Sequence, residues 1–509
     1  MGITGNWDRR LSRRTFLGLG GMSAAALLLN SGKASAQAGY GELVPDPGGV
    51  IDLPQDFQYR IISPEGSQLS NGGGVVPGDP DGMAAFRGPS KGTTLLVRNH
   101  EQNPTDDNPV PQRNPYDPAG PGGTTGILVR DVNRMEIEDF VTSSGTLNNC
   151  AGGATPWGTW ITCEEDRTTN HGYAFEVDPS DPEGNLSKTP IRDMGFFSHE
   201  AVDIDPSTGI AYLTEDDFRG SIPDDPNDEV VADVPDTEGG TGTRVSFLYR
   251  YIPKDRSQRP GALQKGGKLQ VLTLEAGRNF NADLADQGNS FGVVWRNVNP
   301  QEPHESAENL GATRFNRLEG AYFVGGVFWF DDTIGGEQRL GQIFRLFPSG
   351  GYGDTGDTGD TLELFYEGTD RNNIESPDNI VITPWGDLWF AEDETIEGGD
   401  DRNRIVGVTP EGETYVFARN VNSDSEFAGP TFAPDGRTFF VNTQTDGLTF
   451  AIWGPFARRS STRQMKMAVA SPPAHLAHQV SGELAEAANK FGMSQLEAAA
   501  YDRLGVKLA

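Results

Sequence analysis

The sequence predicts an all-β protein: a β-propeller of six blades with extra loops and a short C-terminal helical tail. Two observations favour this fold class. The chain has 65 Gly and 34 Pro but only 9% aromatic residues, which is typical of a loop-rich fold. It also repeats one unit, in which a turn with Gly or Pro leads into a short apolar strand and then into a cluster of acids or amides.

The repeats lie at intervals that fit four-stranded blades. Most follow one another at about 50–65 residues, the length of a blade enlarged by loops. The copies are Lys91–Glu101, Asn149–Asp166, Ser207–Asp217, Gly325–Asp332, Thr383–Asp393 and Ala433–Asn442. The gap between Asp217 and Asp332 is wide enough to hide another blade around Val245–Pro253. The predicted count is six blades.

Residues 1–38 predict an export signal of the twin-arginine type. The motif Ser-Arg-Arg-Thr-Phe-Leu at residues 12–17 precedes an apolar run, and small residues that suit cleavage after Ala36 or Ala38 follow. A membrane anchor is the alternative, but the apolar run is shorter than the roughly 20 residues of a span. We therefore expect a protein without a membrane span that uses the twin-arginine export machinery and works in the periplasm or outside the cell.

The rest of the chain divides into a propeller domain, residues 39–456, and a tail, residues 457–509. The first part of the tail, up to residue 475, is basic and interrupted by Pro, which is typical of a linker. Leu476–Leu504 is rich in Ala and contains a capping box at Ser494-x-x-Glu497, which predicts a helix. We expect this helix to pack on the propeller or on a partner subunit, and we expect the protein to be a monomer.

The formal net charge of −32 argues against a nucleic-acid partner. Removal of residues 1–36 takes away five basic residues and one acid, which leaves a charge of −36. Most of this excess is expected on a solvated surface. The rest is expected around bound cations, because carboxylates crowded into one site repel one another until a metal ion neutralises them.

The segment Asn149–Asp166 predicts a metal site with mixed ligands. It has the thiol of Cys150 before a turn and a short strand, and three consecutive carboxylates that begin at Glu164 after them. Oxygen ligands suit calcium-like ions, whereas sulfur suits transition metals. A disulfide between Cys150 and Cys163 is the alternative, although a hairpin arm between them would take their Cα atoms beyond the bonding limit of about 7 Å.

The acidic clusters together predict one shared site. In a propeller the equivalent strands of successive blades line the central channel, so clusters at equivalent strand ends converge there. Each pair of acids could instead begin a surface turn, but their common phase in the repeat favours a single cup of carboxylates. The chain has six His and no His-rich cluster, which argues against a histidine-bound zinc centre.

Several blocks resemble the PhoX-type alkaline phosphatases, a secreted family, over nearly all of the mature chain to about Phe456. The blocks are Asn99–Glu101, Cys150–Glu165, Phe197–Ala201, Tyr212–Asp216, Arg317–Gly320, Ser376–Asn379, Glu426–Pro430 and Phe432–Asn442. Together they are far more specific than any single motif. The chain departs from the family at residues 444–447, which read Gln-Thr-Asp-Gly where members commonly read Gln-His-Pro-Gly. This difference concerns a loop near the channel mouth.

The resemblance implies a propeller phosphomonoesterase that releases inorganic phosphate from small organic phosphate esters. It further implies iron(III) and calcium in the central channel. By matching positions, Cys150 is implied as a thiolate that bridges the irons, and Glu165 and Glu200 are implied as carboxylate ligands of the mixed cluster.

The resemblance also implies calcium ligands and a phosphate-binding group. Glu319 and Asp378 match calcium ligands, and Glu215 and Asp216 are implied as a further pair. Arg317 matches the residue that would bind the phosphate with its planar fork, although a salt bridge to a nearby acid is the structural alternative. The implied catalytic residues are Arg317, Cys150 and Glu319.

Two other classes of function remain open. A calcium-dependent lactonase or phosphotriesterase would use a propeller channel with carboxylates, Asn and His, but it needs no thiol. A metal-bound Cys150 would therefore separate the phosphatase from this class. A non-catalytic binding propeller stabilised by calcium would lose only stability, and no hydrolysis, when its metal is removed.

Overall fold

The structure is a computed structural model that describes residues 39–168, 170–217, 245–350, 356–393 and 403–456. The predicted export signal and the predicted helical tail lie outside these residues. Strands dominate the described part, which confirms the all-β prediction, and its one α-helix is α1 (Pro303–Leu310). Within the same residues, no helix has the length and apolar character that crossing a bilayer requires.

The strands of the described residues are numbered in chain order. The first seven are β1 (Leu43–Val44), β2 (Ile51–Pro54), β3 (Gln58–Ile62), β4 (Pro80–Arg87), β5 (Thr93–His100), β6 (Gly122–Arg130) and β7 (Met135–Thr146). The next eight are β8 (Asn149–Ala154), β9 (Trp160–Glu164), β10 (Ala174–Val177), β11 (His199–Ile204), β12 (Ala211–Glu215), β13 (Leu248–Pro253), β14 (Gly267–Leu274) and β15 (Ser290–Asn297). The last eleven are β16 (Leu318–Val324), β17 (Val327–Asp332), β18 (Gln342–Phe347), β19 (Gly356–Glu367), β20 (Pro377–Ile382), β21 (Leu388–Glu392), β22 (Arg404–Val408), β23 (Thr414–Asn420), β24 (Phe427–Phe432), β25 (Phe439–Thr443) and β26 (Leu448–Trp453).

Hydrogen bonds join these strands into five sheets, so the prediction of six separate blades is wrong. Strands β4–β7 form one four-stranded sheet, and β24–β26 form another with β3. Strands β8–β10 form a three-stranded sheet, and β20–β23 form a six-stranded sheet with β1 and β2. The other nine strands form a single sheet, because β15 pairs with β14 on one side and with β19 on the other. Strand β15 thus fuses two predicted blades.

The arrangement is nevertheless propeller-like, because one ring of strands surrounds a common centre. The ring consists of β4, β8, β11, β16, β20 and β24, each at the edge of its sheet and each in contact with the next. Every ring strand forms a hairpin with the strand that follows it, and its first residue pairs with the last residue of that partner. A β-bulge then interrupts the register in all of these hairpins, and bulges re-aim side chains.

Two glycines allow neighbouring ring strands to approach closely. A Cβ atom on Gly82 would lie 2.6 Å from the Cα atom of Ala151, and one on Gly320 would lie 2.6 Å from the carbonyl oxygen of Asp378. Both contacts are with the backbone of the next ring strand, which cannot turn aside as a flexible side chain can. A larger residue at either position would therefore separate two ring strands and the side chains at their ends.

Candidate metal centre

The six hairpins of the ring present two sets of side chains at equivalent positions. The first set occupies the second position of each ring strand: Asp81, Cys150, Glu200, Glu319, Asp378 and Ala428. The second set directly follows each partner strand: Glu101, Glu165, Asp216, Thr333, Asp393 and Gln444. Most of these positions carry a carboxyl or thiol group, so equivalent strand ends supply potential metal ligands.

One backbone hydrogen bond orients the second set in the same way in every hairpin. The N–H group of the residue after the partner strand donates to the carbonyl oxygen of the residue before the ring strand. These bonds span 2.9–3.2 Å and run from Glu101 to Asp79, Glu165 to Asn148, Asp216 to Ser198, Thr333 to Arg317, Asp393 to Ser376 and Gln444 to Glu426. The ring therefore repeats one local geometry around its centre.

Five of the residues singled out in the sequence lie together in this ring. Ligand atoms of Cys150, Glu165 and Glu200 lie within 4.8 Å of one another, and so do those of Glu200, Glu319 and Asp378. Glu200 belongs to both groups and joins them. We call these five residues the cup. They come from segments more than 200 residues apart in the chain, brought together by the ring.

The carboxyl groups of the cup are buried among one another. Burial raises the pKa of Glu165, Glu200, Glu319 and Asp378 well above the usual range, and repulsion from neighbouring acids adds to the shift in each case. Among the described residues, Arg317 is the cation that opposes this rise for three of the four. A site of this kind needs further positive charge to hold its carboxylates in the ionised form.

Cys150 and Cys163 are both free, so the alternative of a disulfide between them is excluded. The thiol of Cys150 is buried and donates a hydrogen bond of 3.2 Å to the carbonyl oxygen of His199. Burial and the neighbouring Glu200 raise the pKa of this thiol well above its usual value. Without a metal ion the thiol thus keeps its proton, whereas a bound metal stabilises the thiolate form.

Arg317 immediately precedes ring strand β16 and has left-handed backbone geometry, with φ of 67°. Its guanidinium group holds both carboxylate oxygens of Asp216, with the shortest contact at 2.7 Å, and lies 2.8 Å from Glu319. Asp393 is 3.9 Å away. An ordinary side chain in this backbone region is rare and clusters at functional sites. The strained turn aims Arg317 at the cup, where Asp216 fixes its orientation.

The further calcium pair, Glu215 and Asp216, does not join the cup in the structure. Both oxygens of Asp216 are engaged by Arg317. Successive residues of a strand face opposite sides, and Glu215 accordingly points to His304, with 2.8 Å between its Oε1 and the ring Nδ1. Ligand atoms of Glu215, Asp217 and His304 also lie within 4.8 Å of one another.

Protein cations neutralise this second group of acids. Arg167 lies 2.6 Å from Asp217, and His304 lies 3.6 Å from it. Burial opposes the charge on His304, but Glu215 and Asp217 outweigh burial and raise the pKa of the imidazole to about 9. We call Arg167, Glu215, Asp217 and His304 the ion-pair network.

Sequence reasoning did not single out four further acids beside the cup. Asp81 and Glu101 share the side-chain amide of Gln444, which donates to them over 3.1 Å and 2.7 Å, and burial raises the pKa of Asp81 to about 6. Asp393 and Glu426 complete the same side of the ring. What these acids share in the sequence is their position: each stands at the start of a ring strand or directly after the strand that pairs with a ring strand.

Comparisons with known proteins show what this chain is similar to. A family model described as alkaline phosphatase PhoX matches residues 38–223 and 224–447. Among solved structures, Pseudomonas fluorescens PhoX in complex with vanadate, a transition state analogue, is similar with a TM-score of 0.58 and 18% identity, over 80% of this chain and 96% of that chain. Xanthomonas campestris XC5397, a gluconolactonase, has a TM-score of 0.39 and 10% identity, over 82% of this chain and 99% of that chain. A search of curated proteins finds no match.

Proposed function

We propose, from the premise that the chain belongs to the alkaline phosphatase PhoX family, that it hydrolyses phosphate monoesters at the cup with iron(III) and calcium. The observation that carries this proposal is the pair of ligand groups that share Glu200, with Arg317 directly beside them. A dianionic ester would be repelled by so many acids alone. Cations in the cup would invert the local potential and give the ester a place to bind.

The donor atoms of the cup fit two kinds of metal. The thiol of Cys150 with the carboxylates of Glu165 and Glu200 suits iron(III), which accepts both sulfur and oxygen. Glu200, Glu319 and Asp378 offer oxygen alone, which suits calcium. The raised pKa values of these buried acids support the fit, because metal ions would compensate the cost of ionising them together.

In the proposed mechanism the chain binds and orients the ester. Arg317 donates two parallel N–H bonds to non-bridging phosphate oxygens, while Asp216 keeps the guanidinium plane fixed. Glu319 would hold a metal ion, and loss of its contact with Arg317 would leave one N–H group of Arg317 free for the substrate. Metals held in the cup would supply charge neutralisation and activation of the phosphoryl group. The vanadate bound by Pseudomonas fluorescens PhoX, a transition state analogue, supports the same phosphoryl chemistry here.

We also propose that the protein is exported through the twin-arginine pathway and acts as a monomer on small phosphate esters in the periplasm or outside the cell. The motif at residues 12–17 supports the export route. This pathway carries folded proteins, which suits a protein that must assemble a buried metal cluster first.

Neither alternative function accounts for a thiol in the cup. A calcium-dependent lactonase or phosphotriesterase needs only oxygen and nitrogen ligands, and a binding propeller needs no Arg317 aimed at its metals. Both remain outcomes of the test. Iron-free protein that hydrolyses lactones or phosphotriesters would support the first, and a protein without hydrolytic activity that loses only stability when its metal is removed would support the second.

The test compares Cys150→Ser with Cys163→Ser in protein exported by its own signal. We expect Cys150→Ser to lose iron and the turnover of a chromogenic phosphate monoester, because a hydroxyl is a poor ligand for iron. Cys163→Ser is a matched control, since this thiol is also buried and free but belongs to neither ligand group. Equal iron content and equal turnover in the two variants would refute the proposal.

A further inference from the structure

A second group of buried oxygen atoms lies outside the cup, between the end of β17 and the start of β18. Asp332 and Gln342 pair directly across these strands, so their side chains share one face of the sheet. Both residues are fully buried. Asn316 joins them, because its backbone N–H donates to Oδ2 of Asp332 over 2.8 Å.

Several polar atoms in this group lack a hydrogen-bond partner among the described residues. They are Oδ1 of Asp332, Oε1 and Nε2 of Gln342 and Oδ1 of Asn316. Native proteins satisfy almost all buried polar atoms, and a group left unsatisfied calls for an explanation such as a bound ion. Here all but one of the unsatisfied atoms are oxygens of kinds that bind hard cations.

The charge around these atoms is negative overall. Asp283 approaches from the loop before β15, where its Oδ1 accepts from the N–H of Gly336 over 3.0 Å. Burial and then the proximity of Asp283 raise the pKa of Asp332 well above its usual range. Arg339 opposes the rise for both acids, and Asp216 adds to it for Asp332. One arginine therefore faces the buried carboxyl group of Asp332 and the partly buried one of Asp283.

The loop between β17 and β18 covers the group closely. A Cβ atom on Gly335 would lie 2.6 Å from Cγ of Asp332, and the N–H of Gly341 donates to the carbonyl oxygen of Gly335 over 3.1 Å. The loop thus holds the carboxyl group of Asp332 in a confined polar space.

We propose that Asp332, Gln342, Asn316 and Asp283 bind one calcium-class divalent cation at a structural site separate from the cup. Four oxygen donors, with water or backbone carbonyls, meet the six to eight that calcium takes. The absence of sulfur and imidazole from these four residues favours a hard ion over iron or zinc. The proposal does not depend on phosphatase activity, because these residues belong to neither ligand group of the cup.

The first test uses matched Gln→Leu substitutions. Gln264, on the turn Leu263–Lys265, also has both amide atoms unpartnered but lies outside this group. We expect Gln342→Leu to lose one calcium per chain, with iron content unchanged, and to have a lower Tm in calcium. Gln264→Leu should keep its calcium and have an equal or higher Tm, because it removes an unsatisfied amide. An unchanged calcium count with a raised Tm for Gln342→Leu would overturn the proposal.

A second variant tests the site through a change of Tm in the opposite direction. Gln342→Glu adds a charged oxygen ligand, so we expect a higher Tm than wild type in calcium and a larger drop on chelation. If no ion binds there, the extra buried carboxylate lowers the Tm equally with and without calcium. Iron content and phosphomonoesterase turnover of the same samples report on the cup, so failure of the two sites can be told apart.

Discussion

The cup and the ion-pair network lie side by side, yet they handle buried acids in different ways. Both bring three potential ligand atoms within 4.8 Å of one another. In the network, Arg167 and His304 face Glu215 and Asp217, so protein cations balance the charge. In the cup, several carboxyl groups and a thiol share the nearby Arg317. The two regions therefore have the same ligand spacing and differ in their charge balance.

The strongest test of this comparison is the same Glu→Gln change in both regions. We expect Glu200→Gln to lose metal and to lower turnover by more than about 100-fold, because even residues that only orient metal ligands cost about that much. Its metal-free Tm should equal or exceed that of metal-free wild type, since one acid has left a crowded site.

Glu215→Gln should do the reverse. It leaves the charged His304 with a weaker partner in a buried place, so the Tm should fall while the metal content stays unchanged. Metal analysis and thermal unfolding of both variants check this pair. Metal loss in Glu215→Gln would show that the network also binds metal, which would contradict the difference expected between the two regions.

Arg317→Lys tests how the cup uses the cation beside it. A lysine keeps the charge but cannot hold Asp216 and a phosphate group with a planar fork, so we expect kcat/KM to fall about 100-fold, as when one donor to a developing charge is lost. The Tm and metal content should stay close to wild type. Wild-type kinetics would indicate that Arg317 has only a structural role, in its salt bridge with Glu319.

The sequence predicts the cup better than the sheets that support it. The repeat of turn, strand and acid marks the strand end that carries Glu165, whereas Glu200 and Asp378 are implied only by the family resemblance, and the three residues do lie in the cup. The pairing of β15 with both β14 and β19 is not visible in the repeat, because it depends on hydrogen bonds between distant segments. The predicted six blades therefore become five sheets around one ring.

The alternation of side chains explains why residues 215–217 do not form one cluster in the structure. The run Glu-Asp-Asp looks like one acidic cluster in the sequence. At the end of a strand its members face different partners, so Glu215 and Asp217 meet His304 while Asp216 meets Arg317. Neither His304 nor Arg167 stands near this run in the chain, so the sequence gives no sign of the cations that balance it.

His304 offers a test of the network through pH. Its pKa is raised to about 9 in the fold and is about 6.5 in an unfolded chain, so its charge stabilises the protein fully below about pH 6.5. That contribution, about 2 kcal/mol after solvent screening, should be lost as the pH rises through 9. His304→Gln should remove this part of the pH dependence when unfolding free energies are compared from pH 7 to pH 10. The same slope in both proteins would show that Glu215, Asp217 and Glu308 do not hold a charged imidazole against the repulsion of Arg167.

Asp216 lies between the two regions, and its substitution gives the smallest and most discriminating effect. Asp216→Asn keeps the shape of the side chain but weakens the two-oxygen grip on Arg317, so the guanidinium is less well oriented for the ester. We expect KM to rise about tenfold, with iron and calcium content unchanged. Asp217→Asn is the matched control, because that carboxylate faces Arg167 instead, and it should keep wild-type kinetics. The loss of one calcium per chain from Asp216→Asn would instead make Asp216 the metal ligand that the family resemblance implies, and the boundary between the cup and the network would then move by one residue.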